Sequence, residues 1–274
     1  MPELPEVEIV KRGLETAVLG QEIESLTFNR PNIRLPLPQA LPALIAGQKI
    51  DQLIRRGKYV VCLTDNGHGF ILHLGMSGVV KIIPTDEVYE PAKHDHVVFK
   101  MRSGGRIVFN DPRRFGFLKA TTLEGWAQDD AFKAMGPEPL SNDFNGSVLA
   151  DALKARKGPI KTALLDQKVV AGVGNIYACE ALYMAGISPK RIAGSVQGGR
   201  ADKLARAIRD VLIDAIESGG SSLKDYYHAD GSLGYFQHKF KVYDREGDMI
   251  DGRHPVQRIV QSGRSTFYCP AKQR

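Results

Sequence analysis

Cysteine is scarce in this sequence and long apolar runs are absent. The three cysteines, Cys62, Cys179 and Cys269, are odd in number and far apart, which argues against a disulfide framework. No window approaches the ~18 uninterrupted apolar residues of a membrane span. The first residues, Met-Pro-Glu-Leu-Pro-Glu-Val-Glu, are acidic and broken by proline, unlike any signal peptide. A cytoplasmic location is therefore expected, and no internal repeat suggests a solenoid. What the chain does have is ordinary globular material: 43% hydrophobic and 25% charged residues exclude a disordered or fibrous protein. At 274 residues it exceeds one typical core of ~100–150 residues, so two domains are expected.

The formal charge of +6 hints at a polyanionic partner, and its distribution says more than its size. Residues 100–119 carry six cations (Lys100, Arg102, Arg106, Arg113, Arg114, Lys119) against Asp111 alone; residues 235–274 carry eight against four acids. Two separated basic clusters suit two arms of a clamp on a phosphate backbone, where each neutralised phosphate releases counterions. Solvated basic faces without a partner are the alternative.

Residues 3–19 fit one helix, with Val7, Val10, Leu14 and Val18 near a single stripe and Gly20 placed to stop it. From 22 to about 120 come short runs rich in Val, Ile, Leu and Phe: 59–63, 69–74, 79–83, 97–101, 107–109 and 115–120. Turn residues separate them, which predicts an antiparallel sandwich or barrel. After Gly136-Pro137-Glu138-Pro139 the pattern turns helical over 148–156, 160–165, 175–185 and 200–217. In the last, Leu204, Ile208, Val211, Leu212 and Ala215 make one face apolar. A polar loop follows from Gly219 to about Gly234, long enough to suspect function. The aromatic, basic segment 235–274 has the turn signals of a small β-hairpin.

Several motifs carry chemistry. If Met1 is removed, Pro2 presents a secondary amine; an α-amine has a pKa of roughly 7.7–8.0, so a useful fraction is unprotonated at neutral pH. Attack on an aldehydic carbon gives an iminium ion, an electron sink. Glu3 and Glu6 would stand beside it at the helix N-terminus, where the dipole favours carboxylates; simple helix capping by acids and proline is the bland alternative. Lys58, in Arg-Arg-Gly-Lys-Tyr at the start of a strand, is ordinarily an exposed edge residue or a phosphate contact. His73-Leu-Gly-Met76-Ser-Gly is a glycine-bracketed turn whose flexible Met76 could wedge into a base stack, although core packing is the commoner fate of methionine. In Asp111-Pro-Arg113-Arg-Phe115-Gly, a guanidinium beside a ring suits the gap left by an extruded nucleotide. Gly172-Val-Gly-Asn175 runs into a helix, whose N-terminal N–H groups favour phosphate, with Asn175 adding a side-chain donor. His94 and His96 are i, i+2 and would face opposite ways in an extended strand, so a hydrogen-bonding or phosphate role is expected there rather than a metal.

Taken in order, MPELPEVE, RRGKYVV, HLGMSG, KHDHV, DPRRFG, GPEPL, GVGNIYACEAL and SGRSTFYC resemble bacterial formamidopyrimidine-DNA glycosylase along the whole chain. The PELPEVE start resembles this branch rather than the endonuclease VIII branch, which prefers oxidised pyrimidines. The resemblance implies a multidomain α+β fold. It has an N-terminal helix and antiparallel β-sandwich (1–132), a helical helix-two-turn-helix domain (133–234) with a lesion-capping loop at 219–234, and a β-hairpin finger (235–274).

It further implies a monomeric base-excision repair enzyme that flips an oxidised purine out of duplex DNA, removes it through a Pro2 Schiff base, and cuts the abasic site by β,δ-elimination. Glu3 matches the acid/base, Lys58 the lysine assigned to β-elimination, and Arg264 the arginine assigned to δ-elimination. Met76, Arg113 and Phe115 match the intercalating triad. His94, Arg156 and Asn175 match DNA contacts, and His73 and Tyr243 join the DNA-binding set. At Arg156 the family usually carries a lysine-rich run. Such an enzyme works in the bacterial cytoplasm, on the nucleoid when bound to DNA.

The sequence departs from the family at its zinc finger, C-x2-C-x16-C-x2-C. Counting from Cys269 puts the four ligands at Met249, Gly252, Cys269 and Lys272, of which one survives. A tetrahedral site needs four donors, so no zinc and no other cofactor is expected. Val256, Ile259, Val260, Phe267 and Tyr268 are expected to hold the hairpin instead. Two other functions stay open: an endonuclease VIII-like enzyme for oxidised pyrimidines, and a damaged-DNA binder that has lost catalysis.

Overall fold

The computed structural model describes residues 2–221 and 234–274, in two compact units: Met1–Lys133 with Gly219–Tyr235, and Ala134–Ser218 with Phe236–Arg274. The first unit opens with α1 (Leu4–Val18), whose buried face is Leu4, Val7, Val10, Leu14 and Val18. Pro5 sits in the first turn, where its missing N–H costs nothing. Each of these apolar side chains contributes about 2 kcal/mol by leaving water.

Two four-stranded antiparallel sheets follow. One has the order β1 (Ile23–Phe28), β6 (Asp95–Met101), β7 (Arg106–Asn110), β5 (Val79–Ile83). The other runs β2 (Ile50–Arg56), β3 (Tyr59–Thr64), β4 (His68–His73), β8 (Phe117–Thr122). Leu26, Val97 and Phe99 from the first meet Leu53, Cys62, Phe70 and Leu118 from the second in one core, which α1 also joins. Phe70 stacks on Phe99 between the sheets with ring centroids 5.0 Å apart. Short helices α2 (Leu41–Ile45) and α3 (Asp130–Lys133) complete this unit's regular structure.

The second unit holds α4 (Gly146–Leu153), α5 (Ile160–Leu164), α6 (Asn175–Met184) and α7 (Gly199–Glu217), with β9 (Met249–Ile250), β10 (His254–Pro255), β11 (Gln257–Gln261) and β12 (Arg264–Tyr268). The two turns joining α5 to α6 are tied by one side chain: Gln167 accepts from the Gly172 N–H at 2.8 Å and donates to the Val173 carbonyl at 3.0 Å. Leu204, Ile208, Val211, Leu212 and Ala215 of α7 are buried, as its periodicity predicts. The helix expected over 148–156 ends at Leu153.

Two expectations change. The sequence suggests that 219–234 travels with the helices, yet its described ends, Gly219–Ser221 and Gly234, group with the first unit. Glu6 explains why: its Oε1 accepts from both the N–H and the hydroxyl of Ser221 at 2.9 Å. Most of the expected capping loop, 222–233, lies outside the described residues. In the hairpin, Val256, Phe267 and Tyr268 are buried as expected, but Val260 is 68% exposed and Ile259 half-buried. Strand alternation turns only one face of β11 inward, and the hairpin core is completed by Cys179 and Val242. Among the described residues no helix is long and apolar enough to cross a membrane.

Candidate active site

The start of α1 is built around buried carboxylates. Glu3 is the N-cap residue, in extended conformation, and its N–H donates to Glu6 Oε2 at 2.8 Å. The other oxygen of Glu6, Oε1, accepts from the N–H and the hydroxyl of Ser221, so Glu6 ties the start of α1 to that residue. Pro2 is buried, and Glu3 and Glu6 are each only 2% exposed. Glu3 is thus an enclosed carboxyl on the residue that follows Pro2.

Lys58 also lies in the first unit, in the two-residue turn between β2 and β3, where Arg56 pairs with Tyr59. Gly57 takes φ +56 there, which suits the first central position of a type II′ hairpin turn. Lys58 is not an exposed edge lysine: it is only 8% exposed. Burying an ammonium is costly unless it is paired or hydrogen-bonded.

His73, at the end of β4, feels that ammonium. Burial first, then Lys58 and Arg34, push its pKa down to about 4, against a smaller upward pull from Asp111. The ring is therefore neutral, and its Nδ1 accepts the Gly75 N–H at 3.0 Å. It stacks on Phe117 at 5.4 Å and lies 4.8 Å from Tyr59. Its folded pKa lies below the unfolded value of about 6.5, so its contribution to stability is complete above that pH and is lost as the pH falls towards 4. Urea unfolding at pH 7.5 and pH 5 should show about 2 kcal/mol lost from this group. His73→Phe, which keeps the ring stack, should lack that part of the slope; an equal slope in the variant would exclude His73 as its source.

Met76 and Phe115 stand 37% and 43% exposed on neighbouring turns, so Met76 is not a core residue. The Arg113 guanidinium lies 5.0 Å above the Phe115 ring. Strand alternation does not apply to His94 and His96, because His94 lies in the turn before β6 and only His96 is in the strand; their ring centroids are 6.2 Å apart. His96 is buried on the Asp111 carbonyl at 2.9 Å, while His94 is half-buried.

In the second unit, Asn175 opens α6 and its Nδ2 donates to the Ser265 carbonyl at 2.9 Å, which places it beside Arg264 in sequence on β12. The Asn175 Oδ1 is buried with no hydrogen-bond partner among the described residues. Arg264 is exposed at the start of β12, after the Ser262–Gly263 turn, and makes no ion pair among the described residues. Arg156 pairs with Asp166 at 2.8 Å. Tyr243 packs edge-on against Phe240 and Phe267 at 5.5 and 5.2 Å. Sequence reasoning missed Glu180, which is 1% exposed and accepts the N–H groups of Lys241, Val242 and Tyr243 at 2.8–2.9 Å. Burial pushes its pKa up against those three donors. The available signal was a lone carboxylate in the otherwise apolar run Tyr177–Met184.

The four zinc-finger positions do not suit a metal. Met249 is 58% exposed, Gly252 has no side chain, and Cys269 is fully buried. The Lys272 ammonium is paired with Asp251, so a fixed cation stands where a ligand is needed. Among the described residues no group of three or more His, Cys, Asp or Glu could hold a metal ion. The end of the chain is tied down by Gln273 instead: its Oε1 accepts the Cys269 N–H at 2.8 Å and its Nε2 donates to the Ile187 carbonyl at 3.0 Å.

Residues 1–118 match the family model for the formamidopyrimidine-DNA glycosylase N-terminal domain, and residues 135–227 that for its H2TH domain. A formamidopyrimidine-DNA glycosylase of Cereibacter sphaeroides is 50% identical over 283 residues, covering all of both chains. The crystal structure of the MutM (Fpg) protein from Thermus thermophilus superposes with a TM-score of 0.88 at 39% identity, covering 99% of this chain and 98% of that one. A Lactococcus lactis Fpg mutant complexed with DNA containing Fapy-dG superposes at 0.91 and 33%, covering all of both chains.

Proposed function

The chain belongs to the formamidopyrimidine-DNA glycosylase family, and from that premise we propose that it removes oxidised purines from duplex DNA and then cleaves the abasic site it creates. Relatives that carry this name, and a neighbour bound to DNA with a ring-opened purine, support the substrate class. The buried Glu3 adjoining Pro2, with a buried lysine in the same unit, carries the chemistry.

With Met1 removed, the Pro2 nitrogen attacks C1′ of the damaged nucleoside, the N-glycosidic bond breaks, and the base leaves with a proton. Glu3 delivers a proton to the sugar ring oxygen as the ring opens, leaving an iminium between Pro2 and C1′. That electron sink acidifies the C2′ proton; its loss expels the 3′ phosphate, and a second elimination expels the 5′ phosphate. Lys58 supports the first elimination and Arg264 the second, each as a cation against a departing phosphate. Water then hydrolyses the iminium and frees the amine.

Met76, Arg113 and Phe115 fill the space of the extruded nucleotide. His94, Arg156 and Asn175 contact the backbone; Arg156 does so while shared with Asp166. His73 and Tyr243 shape the surface from beneath. The N-terminal sandwich, the helices of the second unit and the hairpin divide catalysis, duplex binding and finger grip within a monomer. The finger works without zinc: protein as purified should hold well under one equivalent, and dialysis against EDTA should move the melting temperature by less than about 1 °C. Loss of DNA binding on chelation would refute this.

Single-turnover excision on duplexes carrying one 8-oxoguanine, one formamidopyrimidine or one oxidised pyrimidine tests the assignment. The two purine lesions should be released fastest. A pyrimidine preference would overturn the substrate class, and tight binding without any release would leave a damaged-DNA binder.

A further inference from the structure

Two buried side chains join the turns that carry Met76 and Phe115. Asp111 is 0% exposed and Ser77 5%. Asp111 Oδ1 accepts the Ser77 hydroxyl at 2.7 Å, and its Oδ2 accepts the Gly116 N–H at 2.8 Å. The Ser77 oxygen in turn accepts the Arg113 N–H at 3.3 Å. The backbones themselves touch: a Cβ on Gly75, which takes φ +69, would lie 2.3 Å from the Gly116 nitrogen and 2.4 Å from the Phe115 carbonyl carbon. At Gly75 the two turns come too close for any side chain, and beside that contact they are joined by hydrogen bonds to one carboxylate.

We propose that Asp111 and Ser77 are positioning residues that fix the Met76 tip and the Arg113–Phe115 tip at one separation, so that they enter the base stack as a single rigid wedge. This rests on the DNA-glycosylase reading above. A carboxylate suits the task because it accepts from both turns at once, and charge-assisted bonds of this kind are stronger than neutral ones. Without them each tip would enter the stack separately, and the ordering lost before binding would have to be recovered during it. The effect belongs to the base-extrusion step, not to the reaction at C1′, since neither residue carries a reacting group.

Ser77→Ala removes the shared hydroxyl with little change of volume. Single-turnover release of 8-oxoguanine paired with cytosine should fall about tenfold, roughly the worth of one hydrogen bond to a charged group. Cleavage of a preformed abasic duplex, which has no damaged base to extrude, should stay within about twofold. In a Met76→Ala/Phe115→Ala background the same change should cost less than about twofold, because seated tips are no longer there to lose. The fluorescence of 2-aminopurine beside the lesion, at saturating protein, reads wedge insertion without chemistry and should rise less in the variant. Ser77→Ala indistinguishable from the parent overturns the proposal. So does a loss that is equal on both substrates and undiminished in the tipless background, which is what a merely structural role gives. No release by the parent protein from any lesion duplex would remove the glycosylase reading and this inference with it.

Discussion

A leader peptide fused ahead of Pro2 abolishes base release and strand cleavage together, and a protease that exposes Pro2 restores both. Acylation turns the Pro2 nitrogen into an amide with no lone pair to donate, and covalent catalysis then has no nucleophile. Removing a nucleophile from a site that otherwise stays intact costs at least about a thousandfold in rate. The fold should tolerate the leader, because the helix cap is made after Pro2, by Glu3 and Glu6. Binding to an abasic-site analogue should persist, since the wedge and the phosphate contacts lie on other segments. Uncleaved fusion protein that releases 8-oxoguanine at the rate of the processed enzyme would exclude Pro2 as the nucleophile.

Replacing Glu180 by alanine destabilises the protein by about 3–5 kcal/mol, through three buried N–H groups left without an acceptor. Lys241, Val242 and Tyr243 donate to this one carboxylate, and Val242 packs in the hairpin core with Cys179, Val256 and Phe267. The segment leading into the hairpin would lose its attachment to α6, and with it the fixed position of Arg264. A fall in melting temperature of about 10 °C is expected, with affinity for DNA weakened at permissive temperature. Glu180→Gln should be milder, at about 1–2 kcal/mol. One amide oxygen can still accept from Val242 and Tyr243, while the NH2 group faces the Lys241 donor. An alanine variant that unfolds within a degree or two of the parent would show that another group holds this segment.

What could be read from sequence follows the regularity of each element. α1 and α7 keep a clean helical stripe, and their buried faces are the ones the periodicity marks. β1 and β2 are harder because each carries an irregularity near its start, between Ile23 and Ser25 and between Ile50 and Gln52. A bulge breaks the period of two by which a strand is recognised. His94 escaped the alternation rule for another reason: it lies in the turn before β6, not in the strand.

Among the site residues, Pro2, Glu3, Lys58, Met76, Arg113, Phe115 and Arg264 were visible as unusual types in turn or terminal positions. The residues that hold them were not. Glu6 and Glu180 accept backbone N–H groups far away in sequence, and Asp111 joins the distant Ser77 hydroxyl to the Gly116 N–H; no spacing rule encodes that. The finger shows the converse. Its missing ligands were plain from the spacing, but Gln273, which ties its end, resembles any terminal polar residue.

The central claim is that this chain breaks DNA through its own N-terminal amine. Protein whose first residue has been verified by intact mass is incubated with duplex DNA carrying one 8-oxoguanine, reduced with borohydride, and digested. The account predicts a covalent protein–DNA adduct that maps to Pro2. Processed protein that binds the duplex yet yields no adduct, or one that maps to Lys58, would contradict it.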